Sequence, residues 1–138
     1  MIILDTNVLS ALMRSKPEAA VLAWLDAQPP ESIWLTSITV FESRLGLALL
    51  PQGRRRRTLE EAFERVLGDD LQHRVLPFDT EAATQAALIG ATRQQAGRPV
   101  DMRDTQIAGI AIARRATLAT RNLRHFDDLP TPVVSPWD

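Results

Sequence analysis

Short apolar runs recur along the chain, each set apart from the next by a stretch long enough for one or two helices. This alternation constrains the fold more than any other feature. Ile2-Ile3-Leu4, Ile33-Trp34-Leu35, Arg74-Val75-Leu76 and Thr117-Leu118-Ala119-Thr120 read as strands, and Val133-Val134 as a fifth at an edge, since Pro132 precedes it. Between them the apolar spacing predicts helices over Thr6–Arg14, from Pro17 to Ala27, from Thr36 or Ser37 through Leu49, over Arg55–Leu67, and over Thr80–Ala96 with Gly97 ending it. A last helix, capped by Asp101, carries Ile107, Ala108, Ile110, Ala111 and Ile112. Strands alternating with helices imply an α/β domain with a mostly parallel central sheet of four to five strands flanked by helices. At 138 residues, a single domain over 1–138 is expected.

In such sheets ligands bind beyond the carboxyl ends of the strands. Asp5 stands at such an end, as does Thr120-Arg121-Asn122. Glu42 falls one to two turns into the helix after the second strand, and Asp104 in the first turn of its helix. Asp and Glu oxygens are hard ligands that suit Mg²⁺ or Mn²⁺. A metal-assisted phosphate chemistry on such acids needs no histidine. The chain has only His73 and His125 and no cysteine, so disulfides and thiolate metal sites are excluded. Sixteen basic against seventeen acidic residues give a net charge of −1, so any nucleic-acid contact must come from local charge. No secretory signal opens the chain and no run approaches the roughly 18 residues of a membrane span; a cytoplasmic protein is expected, with no membrane partner.

The segment Met1-Ile2-Ile3-Leu4-Asp5-Thr6-Asn7-Val8-Leu9-Ser10 resembles the opening of PIN domains, specifically the VapC toxins of bacterial toxin–antitoxin pairs, with the FitB-like subgroup nearest. Thr36-Ser37-Ile38-Thr39-Val40-Phe41-Glu42 resembles their second motif and Asp104-Thr105-Gln106-Ile107-Ala108-Gly109-Ile110-Ala111 their third. Leu118-Ala119-Thr120-Arg121-Asn122 and Ser135-Pro136-Trp137 resemble the last strand and tail. The likeness runs through the whole chain in order. It implies a PIN-like three-layer domain and a Mg²⁺- or Mn²⁺-dependent endoribonuclease, inhibited by a cognate antitoxin and commonly a homodimer. The family's metal-binding acids fall on Asp5, Glu42 and Asp104. A fourth acid often follows the last strand, where this chain has Asn122 and His125. That departure favours one tight metal ion over two.

Each residue has a plainer reading. Asp5 is also a good helix N-cap. Asp101 is assigned to capping, and Asp104, three residues on, to metal. Thr6, Asn7, Thr39 and Asn122 are expected to orient the carboxylates from behind. Arg121 suits bidentate phosphate binding, or a surface ion pair. The run Arg54-Arg55-Arg56-Arg57 opens a helix, where cations oppose the helix dipole; that conflict suggests RNA backbone or acidic antitoxin residues as its partners. Trp24, Trp34 and Trp137 are expected in packing, and His125 receives no role. Two other functions fit parts of the pattern. One is a non-catalytic PIN-like binding scaffold. The other is a haloacid-dehalogenase-like phosphatase, which typically needs an acid where Asn7 stands.

Overall fold

The computed structural model describes residues 1–138. Its order is β1 (Ile2–Leu4), α1 (Thr6–Leu12), α2 (Ala19–Asp26), β2 (Ile33–Thr36), α3 (Ser37–Leu49), α4 (Arg54–Arg65), β3 (Val75–Leu76), α5 (Thr80–Gln95), α6 (Met102–Arg114), β4 (Thr117–Ala119) and β5 (Val133–Val134). Single turns at Pro30–Ser32, Val66–Asp70 and Leu123–Phe126 fill three of the connections. The five strands form one sheet in the order β3-β2-β1-β4-β5, and every pairing is parallel. The expected architecture is therefore present.

Period-two alternation along each strand divides the core into two layers. Leu4, Leu35 and Ala119 face a cluster with Val8, Leu9, Val21 and Phe63 from α1, α2 and α4. Ile3 and Leu118 face the opposite cluster with Ile107, Ile110 and Phe126, built mainly on α5 and α6. Those two helices approach closely because Gly109 has no side chain. A Cβ there would lie 2.5 Å from the Ala82 carbonyl oxygen and 2.6 Å from the Ala86 Cβ.

Several helix boundaries differ from expectation. Pro17 does not open α2; Glu18 takes the N-cap position and the helix begins at Ala19. Proline tolerates a first helical turn without enforcing one. The helix expected over Arg55–Leu67 starts one residue earlier and ends at Arg65, where a wider turn over Val66–Asp70 takes over. The first helix stops at Leu12 rather than Arg14.

Candidate active site

β1 and β4 are neighbours in register, with Leu4 opposite Ala119, so the residues that leave them, Asp5 and Thr120, emerge side by side at the carboxyl end of the sheet. Asp5 is 4% exposed. Its Oδ2 accepts from the Thr120 hydroxyl at 2.8 Å and from the Asn7 amide at 3.4 Å, and its Oδ1 accepts from the Thr6 backbone N–H at 2.8 Å. Thr120 Oγ1 in turn accepts from the Asn122 backbone N–H at 3.0 Å, and the Arg121 N–H donates to Asn7 Oδ1 at 3.2 Å. The β4 exit thus wraps the carboxylate with a short polar network.

Glu42 reaches the same region from the second turn of α3. Thr6 Oγ1 donates to its Oε1 at 3.0 Å. With its only proton committed there, Thr6 accepts from Thr39 Oγ1 at 3.0 Å, and Thr39 accepts from Thr36 at 3.4 Å. A one-way chain of hydroxyls therefore runs from buried Thr36 to Glu42. The other oxygen of Glu42 faces Arg103, 3.5 Å away. Asp104 sits in the first turn of α6, where Asp101 caps the helix by accepting from the Asp104 N–H at 2.9 Å. Its Oδ2 lies 3.0 Å from His125 Nδ1, at the side of a cleft of about 230 Å³ lined also by Arg93, Arg98 and Arg124.

These placements leave Asp5 without an adjacent cation. Burial raises its carboxyl to a pKa of about 6, against the pull of the Thr120 and Thr6 hydrogen bonds, and the charges of Asp104 and Glu42 add to the rise. The Asp104 carboxyl is also raised, by burial first and then by Asp101, with His125 and Arg93 opposing. Asp104 and Glu42 are thus both close enough to act on the Asp5 carboxyl. As they stand, no three acidic or histidine side chains close around a single point as a ready-made metal cage. The donor set fits a hard divalent cation nonetheless. Mg²⁺ binds through one or two carboxylates and keeps several waters, and a carboxylate buried without a countercharge is what such an ion would neutralise.

Asp5 is formally the N-cap of α1, but its bond goes to Thr6, the first residue of the helix. An ordinary cap bonds the second or third N–H. Asp79, Thr36 and Asp101 cap their helices in that ordinary way. Of the four residues expected to orient carboxylates, Thr6 and Asn7 do so directly. Thr39 acts through Thr6, and Asn122 contributes its backbone N–H rather than its side chain. Arg121 lies beside Asn7. Arg54 and Arg55 line a separate groove of about 1080 Å³ with Arg14, Lys16 and Arg65, a groove that includes none of the three acids. Arg56 is tied to Glu60 at 2.7 Å, and Arg57 is exposed.

Sequence reasoning missed Thr120 and the partnership of His125 with Asp104. It also missed Arg93, 3% exposed, which binds both oxygens of Asp128 at 2.8 and 2.9 Å and the His125 carbonyl at 3.0 Å. That clamp fixes the turn carrying His125 against α5. The only signal for Thr120 was its position at a strand end; nothing local marked the others.

The model of the PIN domain family matches residues 2–131. A VapC ribonuclease of Sinorhizobium fredii is 40% identical over the full chain and 99% of its own length. The toxin FitB of Neisseria gonorrhoeae is 38% identical over 99% of both chains. Among solved structures, FitAB bound to a DNA fragment superposes with a TM-score of 0.90 at 38% identity, covering all of this chain and 96% of that one.

Proposed function

Because the chain belongs to the PIN domain family, we propose that it is the toxin of a toxin–antitoxin pair, a divalent-metal-dependent endoribonuclease whose site is Asp5, Glu42 and Asp104. The observation that carries this reading is the Asp5 carboxylate, buried at the end of the parallel sheet with two further acids near it and no cation beside it. Asp5 and Asp104, with Glu42, would hold Mg²⁺ or Mn²⁺, which when bound supplies a polarised water and a clamp on phosphate oxygens.

The chain's own residues do the rest. Thr120 and the Thr6 N–H fix both oxygens of Asp5, leaving the remaining lone pairs for a ligand. The Thr36–Thr39–Thr6 chain fixes Glu42, and His125 holds one oxygen of Asp104. With Asn122 and His125 at the positions where the family resemblance leads one to expect a fourth acid, the site is suited to one tight ion.

The partner is a cognate antitoxin, a reading supported by the likeness to FitAB bound to a DNA fragment. The antitoxin would silence the enzyme by covering the Asp5, Glu42 and Asp104 carboxylates; Arg54 and Arg55, in their separate groove, offer acidic partner residues a landing place away from them. Self-association would use α3, where exposed Phe41 and Leu49 and half-buried Leu45 repeat every four residues along one face. No helix is long and apolar enough to cross a membrane. The reading places one domain over 1–138 in the cytoplasm.

Purified protein should cleave RNA with Mg²⁺ or Mn²⁺, stop in chelator, and lose activity in Asp5→Asn, Glu42→Gln and Asp104→Asn. Cleavage that persists in chelator, or survives all three substitutions, would overturn the mechanism. RNA bound but never cut would indicate the scaffold reading, and turnover of a small phosphomonoester instead of RNA the phosphatase one.

A further inference from the structure

Arg121 and Trp137 meet where two parallel strands end. β4 and β5 are neighbours in register, with Ala119 opposite Val134, so the segments that leave them emerge on the side of the sheet that carries Asp5. Arg121 follows β4 by two residues and Trp137 follows β5 by three. The Arg121 guanidinium carbon lies 4.9 Å from the centre of the Trp137 ring. Its backbone N–H is tied to Asn7, whose amide touches Asp5. The side chain is 56% exposed, and its one ion pair, with Glu18, is a loose 3.8 Å contact. Glu18 itself is shared with Arg14 at 3.7 Å.

Trp137 packs against the core layer of α1, α2 and α4. Its Nε1–H is buried and has no acceptor. An unsatisfied buried donor is destabilising. A phenylalanine would fill much of the same space without it, so packing alone does not account for an indole here. An indole face is, however, the best aromatic partner for a guanidinium. Stacking on a ring leaves the edge N–H groups of an arginine free, and those are the groups that grip a phosphate in a bidentate fork.

We propose that Arg121, stacked over the Trp137 indole beside the Asn7–Asp5 hydrogen bond, binds a phosphate of the RNA strand, and that Trp137 is its positioning residue. This rests on the ribonuclease reading above and adds to it a contact outside the acids. The phosphate displaces the loose Glu18 contact, while the indole holds the guanidinium in place through the exchange.

The test is binding of a short mixed-sequence single-stranded RNA to the full chain carrying Asp5→Asn, measured across salt concentrations. Arg121→Gln should weaken binding about tenfold, as expected for one charge-assisted contact. It should also lower the slope of log affinity against log salt by about 0.7. Trp137→Phe should weaken binding by up to about fivefold, the upper end of an exposed cation–π contact of which a phenylalanine keeps a part, with the slope unchanged. In the Arg121→Gln background it should do nothing further, because the two residues act as one unit. An equal loss from Trp137→Phe with and without Arg121 would overturn the proposal, since the indole would then act by itself. So would Arg121→Gln binding as tightly as its parent. Cleavage by the unmodified chain in Mn²⁺ separates the two levels. If it neither binds nor cuts RNA, the ribonuclease reading falls and this inference with it. If it cuts while the variants bind unchanged, only this inference falls.

Discussion

Asp5→Asn should stabilise the metal-free protein while abolishing its activity. Burial raises the Asp5 carboxyl from 3.8 to about 6 in the folded chain. Between those values the folded state holds a proton that the unfolded state has released, so stability falls as pH rises through that window. Above it the ionised carboxylate costs about 3 kcal/mol, since each pH interval of one between the two values contributes roughly 1.4 kcal/mol. Asparagine resembles the neutral acid in size, but it cannot accept from both Thr6 N–H and Thr120 as the carboxylate does. Losing one such bond returns about 1 kcal/mol. The net gain at pH 7 is about 2 kcal/mol, or several degrees in melting temperature for a chain of this size. Urea unfolding in chelator at pH 7 and near pH 4 measures it, and the gain should largely vanish in acid. Mn²⁺ should then stabilise the wild type and not the variant, because an ion that binds only the folded state shifts the equilibrium by mass action. A variant less stable than wild type at pH 7 would refute the reasoning and leave Asp5 a helix cap.

Two further outcomes follow from packing. Gly109→Ala places a Cβ 2.5 Å from the Ala82 carbonyl, so α5 and α6 must separate; a loss of about 2 kcal/mol or more is expected despite alanine's better helix propensity. A neutral result in urea unfolding would mean the helices are not so closely apposed. Asp128→Ala strands the buried Arg93 guanidinium with only the His125 carbonyl and Thr105 as partners, at a cost of about 3 kcal/mol. Arg93 holds the Asp128 carboxyl below its usual value, so this contribution is present above the unfolded pKa of 3.8 and is lost as pH falls through the lower folded value. The gap between wild type and variant should stay flat above a pH of about 5 and close in acid. A gap that closes on the alkaline side would contradict the pairing.

Much of this layout is legible in the sequence because it is written in local signals. Ile2-Ile3-Leu4 is too short for a helix and apolar on both faces, as a central parallel strand must be. Thr36, Asp79 and Asp101 each stand three residues before the N–H they accept from. Strand order is not local. β4 lies beside β1 although more than a hundred residues separate them, and so the Thr120–Asp5 bond spans 115 positions. The pairing of His125 with Asp104 depends on Arg93 anchoring a turn from a third element, and no periodicity records that. The departure at Pro17 has a different cause. A permissive residue predicts where a helix can begin, and Glu18 takes the boundary instead.

One residue type at one helical position carries two meanings in this chain, and hydrogen-bond geometry separates them. Asp79 and Asp101 bond the third helical N–H, which a cap normally satisfies. Asp79 also has the Arg114 guanidinium 2.6 Å away, and Asp101 is exposed to water. Asp5 bonds the first N–H, lies deeper, and is raised to about 6 with two acids adding to the rise. A cap that served α1 alone would gain nothing from that burial or from that company. Stability is therefore given up at Asp5, while the flanking network of Thr6, Asn7 and Thr120 holds the carboxylate in place. Such a conflict between local energy and a well-braced geometry is expected at a site kept for a ligand, and it is absent from every other helix start in the molecule that an aspartate caps.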